Sequence, residues 1–320
     1  MFALLVVVGC VPQSSEPIHD PPGGGKGDAS CTNDPSGVLA AQQVWPSSIV
    51  VDETRVYWAT SDGTITATHR CGGGAVEVLA TGQASPHSIA VDSTNIYWVN
   101  YTGGNDDTVM AMPKTGGTPT TLVTMRGPLG LALGDTDATV LALDGLYRVP
   151  IDGGAAALVA PVTCPHGGLA IAGDDVLWSE DCVMVGAPRI VRFAGGVAST
   201  LVADEGPQEL AIVDGHAYWT TWAIGGPRVR AIALAGGAPT TIATLSGYAS
   251  SISADANHVF IGGEKPGGER AVLAVPRDGS GSAAVVATAT NAIPSVHAYD
   301  GVVYFASQGQ AGAIHAALAP

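Results

Sequence analysis

A phrase of two short apolar strands, joined by an acidic turn and ending in Tyr-Trp, returns along this chain at a nearly fixed interval. It reads Ser48-Ile-Val-Val-Asp-Glu-Thr-Arg-Val-Tyr57-Trp58, then Ser88-Ile-Ala-Val-Asp-Ser-Thr-Asn-Ile-Tyr97-Trp98. Weaker copies begin at Gly130, Gly168, Glu209, Ser251 and Ser295, so successive starts lie 40, 42, 38, 41, 42 and 44 residues apart. A unit this short cannot bury its apolar faces alone and must pack them on its neighbours. The period therefore restricts the chain to a radial or solenoid array of β units.

The second copy shows what one unit contains. Ser88–Val91 suits a strand buried on both faces, Asp92–Asn95 a turn, and Ile96–Asn100 a second strand. Val109–Met112 and Thr120–Thr124 add a third and a fourth, separated by Lys114-Thr-Gly-Gly117. Four antiparallel strands make one blade of a β-propeller. The turn between third and fourth strands recurs as Cys71-Gly-Gly-Gly74, Asp152-Gly-Gly154, Gly195-Gly196, Gly236-Gly237 or Asp278-Gly279, which accounts for much of a total of 43 glycines. Charged residues are only 13%, and aromatics 6%. That composition suits short strands and tight turns better than helices.

Following the units to both ends predicts how the array closes. The unit starting near Ser295 has three strands and stops at Pro320 without a fourth. Upstream of the first unit, Gly37-Val-Leu-Ala-Ala-Gln-Gln-Val-Trp-Pro46 matches the fourth-strand pattern of Val78-Leu-Ala-Thr-Gly-Gln-Ala-Ser-Pro86. Together the fragments complete one blade and remove two exposed edges. The expected fold is all-β: a seven-bladed propeller of four-stranded antiparallel blades spanning 38–320, its last blade closed by an N-terminal strand. Six blades is the alternative, because the unit Leu129–Pro165 lacks the Tyr-Trp pair.

Tyr57-Trp58-Ala-Thr60, Tyr97-Trp98-Val-Asn100 and Tyr218-Trp219-Thr-Thr221 resemble the Tyr-Trp-Thr-Asp propeller repeat. The phrase Pro86 to Asp92 is similar to the repeat of NHL propellers and of virginiamycin B lyase. These resemblances imply the fold across 38–320. They say little about activity, since propellers host binding modules and enzymes alike.

The N-terminus reads as a targeting element. Phe2–Val8 is apolar but too short to span a bilayer. Val7-Val8-Gly9-Cys10 resembles the bacterial lipobox, which implies cleavage before Cys10 and its lipidation. No Lys or Arg precedes the apolar run, a departure from the basic n-region of a signal peptide. Residues 1–10 are thus expected to be a lipoprotein signal, and 11–37, rich in Pro, Gly and Ser, a flexible tether. The resulting expectation is a monomer lipid-anchored in a bacterial cell envelope, facing the periplasm or the surface.

Beyond Cys10 stand an even four cysteines, and an exported domain favours disulfides. In a propeller the fourth-to-first and second-to-third connections share one face, and the other turns share the opposite one. Cys164 and Cys182 fall on the first face in neighbouring elements. Cys71 opens a turn on the second face, from which the strand after Cys31 starts. The expected bridges are Cys164–Cys182 and Cys31–Cys71.

A net charge of −15 speaks against nucleic acid and against electrostatic docking on anionic lipid. The residue after each blade-joining proline enters the mouth of the central channel. Around the ring these are Ser47, His87, Leu129, His166, Gln208, Ala249 and Ser295. His87, His166 and Gln208 form the candidate binding cluster, with Glu209 turned away from the channel by strand alternation. Resemblance to virginiamycin B lyase implies histidine and acidic ligands for magnesium there, but matching acids are not evident. Asn105-Asp106-Asp107 reads as a solvated turn. No Walker loop, nucleophile elbow or His-Glu-x-x-His motif occurs. The expected function is a non-catalytic binding or interaction module for a protein, peptide or glycan, without a cofactor. The alternative is a metal-dependent lyase or lactonase at the channel mouth.

Overall fold

A computed structural model describes residue 31 and residues 36–181, 187–203, 206–222 and 226–320. Cys10 and Cys182 lie outside the described residues, as does most of the expected tether.

Seven four-stranded antiparallel sheets follow one another. Blade 1 holds Pro46–Val51, Arg55–Thr60, Ile65–His69 and Glu77–Ala80. Blade 2 holds Pro86–Val91, Asn95–Asn100, Asp107–Pro113 and Thr120–Met125. Blade 3 holds Pro128–Leu133, Asp137–Ala142, Gly145–Pro150 and Ala157–Pro161. Blade 4 holds Pro165–Ala172, Asp175–Glu180, Arg189–Ala194 and Val197–Ala203. Blade 5 holds Pro207–Val213, His216–Thr221, Arg228–Ala233 and Thr240–Thr244. Blade 6 holds Ala249–Ala254, His258–Glu264, Arg270–Pro276 and Ala284–Ala289. Blade 7 holds Ser295–Tyr299, Val302–Ser307 and Gly312–Leu318, and Gly37–Gln43 supplies its fourth strand. The count is seven, and closure is by the N-terminal strand.

The Tyr-Trp pair is a staple across two seams. Adjacent strand residues point to opposite faces. Trp98 therefore packs with Val50, Tyr57 and Ile65 of blade 1, while Tyr97 packs with Leu131 and Val140 of blade 3. Trp58, Trp98, Trp178 and Trp219 are all at most 1% exposed, as expected for aromatics that carry the inter-blade core. The indole N–H of Trp98 donates to Gln83 Oε1 at 3.1 Å, and that of Trp58 to Gln43 Oε1 at 3.0 Å. The pattern shared by Gly37–Pro46 and Val78–Pro86 thus has a physical cause: each segment carries the glutamine that caps the tryptophan of the following blade.

On the face opposite the channel mouth, the Asp of the repeated phrase shapes the first turn. Asp52 Oδ1 accepts the N–H groups of Thr54 and Arg55 at 2.8 Å, and Asp92 and Asp255 repeat the arrangement. Three seams add a cation from the following blade. Lys114 Nζ lies 2.7 Å from Asp52, Arg277 Nη1 2.7 Å from Asp214, and Arg70 Nη2 3.0 Å from Asp300. Burial raises the Asp52 carboxyl, but Lys114 and the turn N–H groups together outweigh it and hold the pKa below the ordinary value. Elsewhere the same position carries an apolar plug, Ile151 or Leu234. Beside the seam between blades 7 and 1, the Cys31–Cys71 disulfide ties the N-terminal segment to blade 1.

His297 supplies a stability prediction. It stands where blades 2 to 5 carry Ala90, Ala132, Ala170 and Ala211, and burial lowers its pKa to about 4. The folded value lies below the unfolded one, so the ring is neutral in the native state. That contribution is complete above about pH 6.5 and is lost as pH falls toward 4, at most about 3 kcal/mol. Urea midpoints measured between these limits should fall steeply for the natural chain and much less for His297→Ala.

Candidate functional site

Blade-joining segments build the mouth through one repeated device. The residue preceding the first strand is left-handed at Trp45 (φ 46°), Ser85 (52°), Gly127 (55°), Cys164 (52°) and Gly206 (50°). This conformation is uncommon for a side-chain-bearing residue. It turns the carbonyl toward the end of the second strand. In these five blades the N–H one residue beyond that strand donates to this carbonyl, at 3.0–3.5 Å. In blade 6 the last strand residue, Glu264, donates to Tyr248 at 3.0 Å, and in blade 7 Gln308 donates to Ala292 at 2.9 Å. The acceptors are Trp45, Ser85, Gly127, Cys164, Gly206, Tyr248 and Ala292; the donors include Tyr101, Leu143 and Trp222. Both sets of residues consequently lie on the one face that the fourth-to-first and second-to-third connections share.

In blades 1, 3 and 6 the mouth position is a residue bulged out of pairing with the second strand, Ser47, Leu129 and Ser250. Pairing identifies Ser250 in blade 6, not Ala249, because Ala249 faces Gly263 and Ser251 faces Gly262. In blade 7, Ser295 pairs with Ala306 at the level of Ser48 in blade 1, leaving Pro294 at the mouth position. The two serine hydroxyls here are engaged: Ser47 Oγ donates to Ala59 and Pro86 carbonyls, and Ser250 Oγ to Gly262 and Ile293.

Two of the three expected cluster residues meet. Gln208 Nε2 donates to the Gly206 carbonyl at 3.2 Å, so its Oε1 accepts from His166 Nε2 at 2.9 Å. His87 makes no hydrogen bond with either. Its Nδ1 donates to the Ser85 carbonyl at 3.2 Å, which leaves the Nε2 lone pair buried and without a hydrogen-bonding partner. Burial lowers its pKa, opposed by the Ser85 carbonyl and the negative charge of Asp107. Asp107 is not a solvated turn residue. It is 2% exposed, its Oδ1 taking the N–H and hydroxyl of Thr102 at 2.7 and 2.8 Å. Among the described residues no three His, Cys, Asp or Glu side chains assemble as a metal site.

Glu209 is turned from the mouth into the seam between blades 5 and 6. It is 8% exposed, and burial raises its pKa well above the ordinary carboxyl value. Cys164 has no disulfide partner among the described residues, and its expected partner Cys182 lies outside them.

Sequence reasoning missed the apolar rim. Trp45, Leu143, Trp222 and Tyr248 are 42%, 38%, 68% and 41% exposed, all on the face of the mouth. Every exposed large aromatic among the described residues is on this face. The available signal was positional: Trp45 and Tyr248 immediately precede a first strand, and Leu143 and Trp222 immediately follow a second.

No protein-family model matches the chain, and no curated protein matches it. Solved structures do. The WD40 propeller domain of Doa1 aligns with TM-score 0.67 and 17% identity over 87% of this chain and 96% of that one. Virginiamycin B lyase from Staphylococcus aureus aligns with TM-score 0.68 and 13% identity, over 88% and 98%. A gluconolactonase from Xanthomonas campestris gives 0.55 and 13%, over 88% of each. At these identities the likeness establishes the propeller fold alone, shared by proteins of differing activity.

Proposed function

We propose that this chain is a non-catalytic binding module that engages a protein, peptide or glycan through the face of the channel mouth. One observation carries the reading: the exposed aromatic side chains are gathered on that single rim, around the His166–Gln208 pair. Burying an exposed Trp releases water from a large surface, and the polar centre fixes orientation. The opposite face is occupied by turn-forming aspartates and the cations that clamp them. Cys10 would tether the module to a bacterial envelope membrane through its lipid, consistent with the disulfide of an oxidising compartment.

The test is capture of an envelope ligand by the immobilised chain. Trp45→Ala and Trp222→Ala should each weaken capture by about tenfold or more. Val78→Ala, exposed on an outer strand away from the mouth, should leave it unchanged. Full retention by both tryptophan variants would exclude this face.

A further inference from the structure

Position by position, the first strands carry Ser48, Ser88, Gly130, Gly168, Glu209, Ser251 and Ser295 at one level of the ring. Serine has a defined task there. Its hydroxyl accepts the first-strand N–H of the next blade: Ser295 from Ile49 at 3.2 Å, Ser48 from Ile89 at 3.1 Å, Ser88 from Leu131 at 2.8 Å. Only blade 5 places an acid at this level.

The Glu209 side chain is more than nine-tenths buried, and its Oε2 has no hydrogen-bonding partner. Alternation assigns the surroundings. Leu210 pairs with Trp219, both packing toward blade 4; Ala211 and Tyr218 pack toward blade 6. Glu209 and Thr220, the next residues outward, therefore share the face toward blade 6. Thr220 is 1% exposed, and its Oγ1 is likewise buried without a partner. The carboxylate and hydroxyl do not bond one another, so each requires a third group. Burial alone favours the protonated form of this carboxyl, whereas a bound cation would stabilise the ionised form and give both oxygens a partner.

We infer that the seam between blades 5 and 6 binds a monovalent cation, Na⁺ or K⁺, on the Glu209 carboxylate and the Thr220 hydroxyl. Both donors are oxygen, which selects a hard cation. One carboxylate balances one positive charge, whereas a divalent ion would leave an excess charge in the interior. Occupancy would brace the seam next to Gln208, and through it the His166 pair at the mouth.

The experiment is thermal unfolding of the full chain in choline chloride, NaCl and KCl at matched ionic strength. One of the small cations should raise the midpoint by several degrees over choline, a size that cannot occupy the seam. Glu209→Ser, which restores the residue of blades 1, 2, 6 and 7, should unfold at one midpoint in all three salts. Thr220→Val should reduce the response while retaining the carboxylate, and serves if the first variant does not fold. A natural chain with equal midpoints in the three salts would overturn the inference, as would an undiminished response in Glu209→Ser.

Discussion

Replacing Cys71 by serine should lower stability by about 4 kcal/mol, the chain-entropy value for a bridge closing a loop of this length. The bridge spans a sequence separation of 40 and joins residues with Cα atoms 5.3 Å apart. Its position gives the bond more weight than its loop length alone suggests. Cys31 precedes the strand that completes blade 7, and Cys71 opens the last turn of blade 1. Without the bridge, the closing strand is held by its pairing with Gly312–Leu318, by Ala40 in the seam and by the Gln43–Trp58 hydrogen bond. Its N-terminal end loses its only covalent tie to blade 1 among the described residues. The variant should keep the fold, since Arg70 still joins the same two blades through Asp300 and the Glu53 carbonyl. Urea unfolding of the oxidised chain and of Cys71→Ser measures the difference. A loss below about 1 kcal/mol would mean that the bridge does not constrain closure.

Removing residues 1–45 should have a larger effect: the remaining chain should lose its single sharp unfolding transition. Gly37–Gln43 pairs along Gly312–Leu318, with Gly37 opposite Ala316 and Gln43 opposite Gly312. Its loss leaves that third strand as an open edge, with unpaired N–H and C=O groups exposed for association with other chains. Trp58 loses the Gln43 acceptor for its buried indole N–H. Ala40 leaves the cluster formed by Ile49, Trp58, Tyr304 and Ile314. A peptide of residues 31–45 added in trans should restore part of the transition. The Cys71→Ser chain is the proper reference, because the truncation also removes Cys31. If the truncated chain unfolds as sharply as that reference and at the same midpoint, the N-terminal strand is not the closing element.

The architecture was legible because packing demands the same residues in every seam. Trp fills the seam behind its blade and Tyr the seam ahead, so the pair recurs wherever both seams are built alike. In the third unit the register places Thr139 and Val140 where other blades carry Tyr and Trp, and Val140 fills the seam behind its blade with less sequence signature. The closing strand was legible for a related reason, since Gln43 and Gln83 cap equivalent tryptophans.

Features that vary from seam to seam were not legible. Lys114, Arg277 and Arg70 occupy a position that elsewhere holds Ile151 or Leu234, and such alternation has no residue-type period. The mouth was read one residue out of register in blades 6 and 7, because Ser250 and Pro294 are assigned only by strand pairing. Trp45 was treated as strand ending, although its left-handed backbone projects it from the rim. Glu209 was expected to face away from the channel, and it does. Its burial without a partner depends on Thr220 and the next blade, which no local pattern reveals.

Hydrogen–deuterium exchange of the full chain, with and without its captured envelope ligand, tests the face assignment most directly. The prediction is slowed exchange in the segments around Trp45, Leu143, Trp222 and Tyr248, with the turns at Asp52, Asp92, Asp214 and Asp300 unchanged. Slowed exchange confined to those aspartate turns, or no change at the rim, would contradict it.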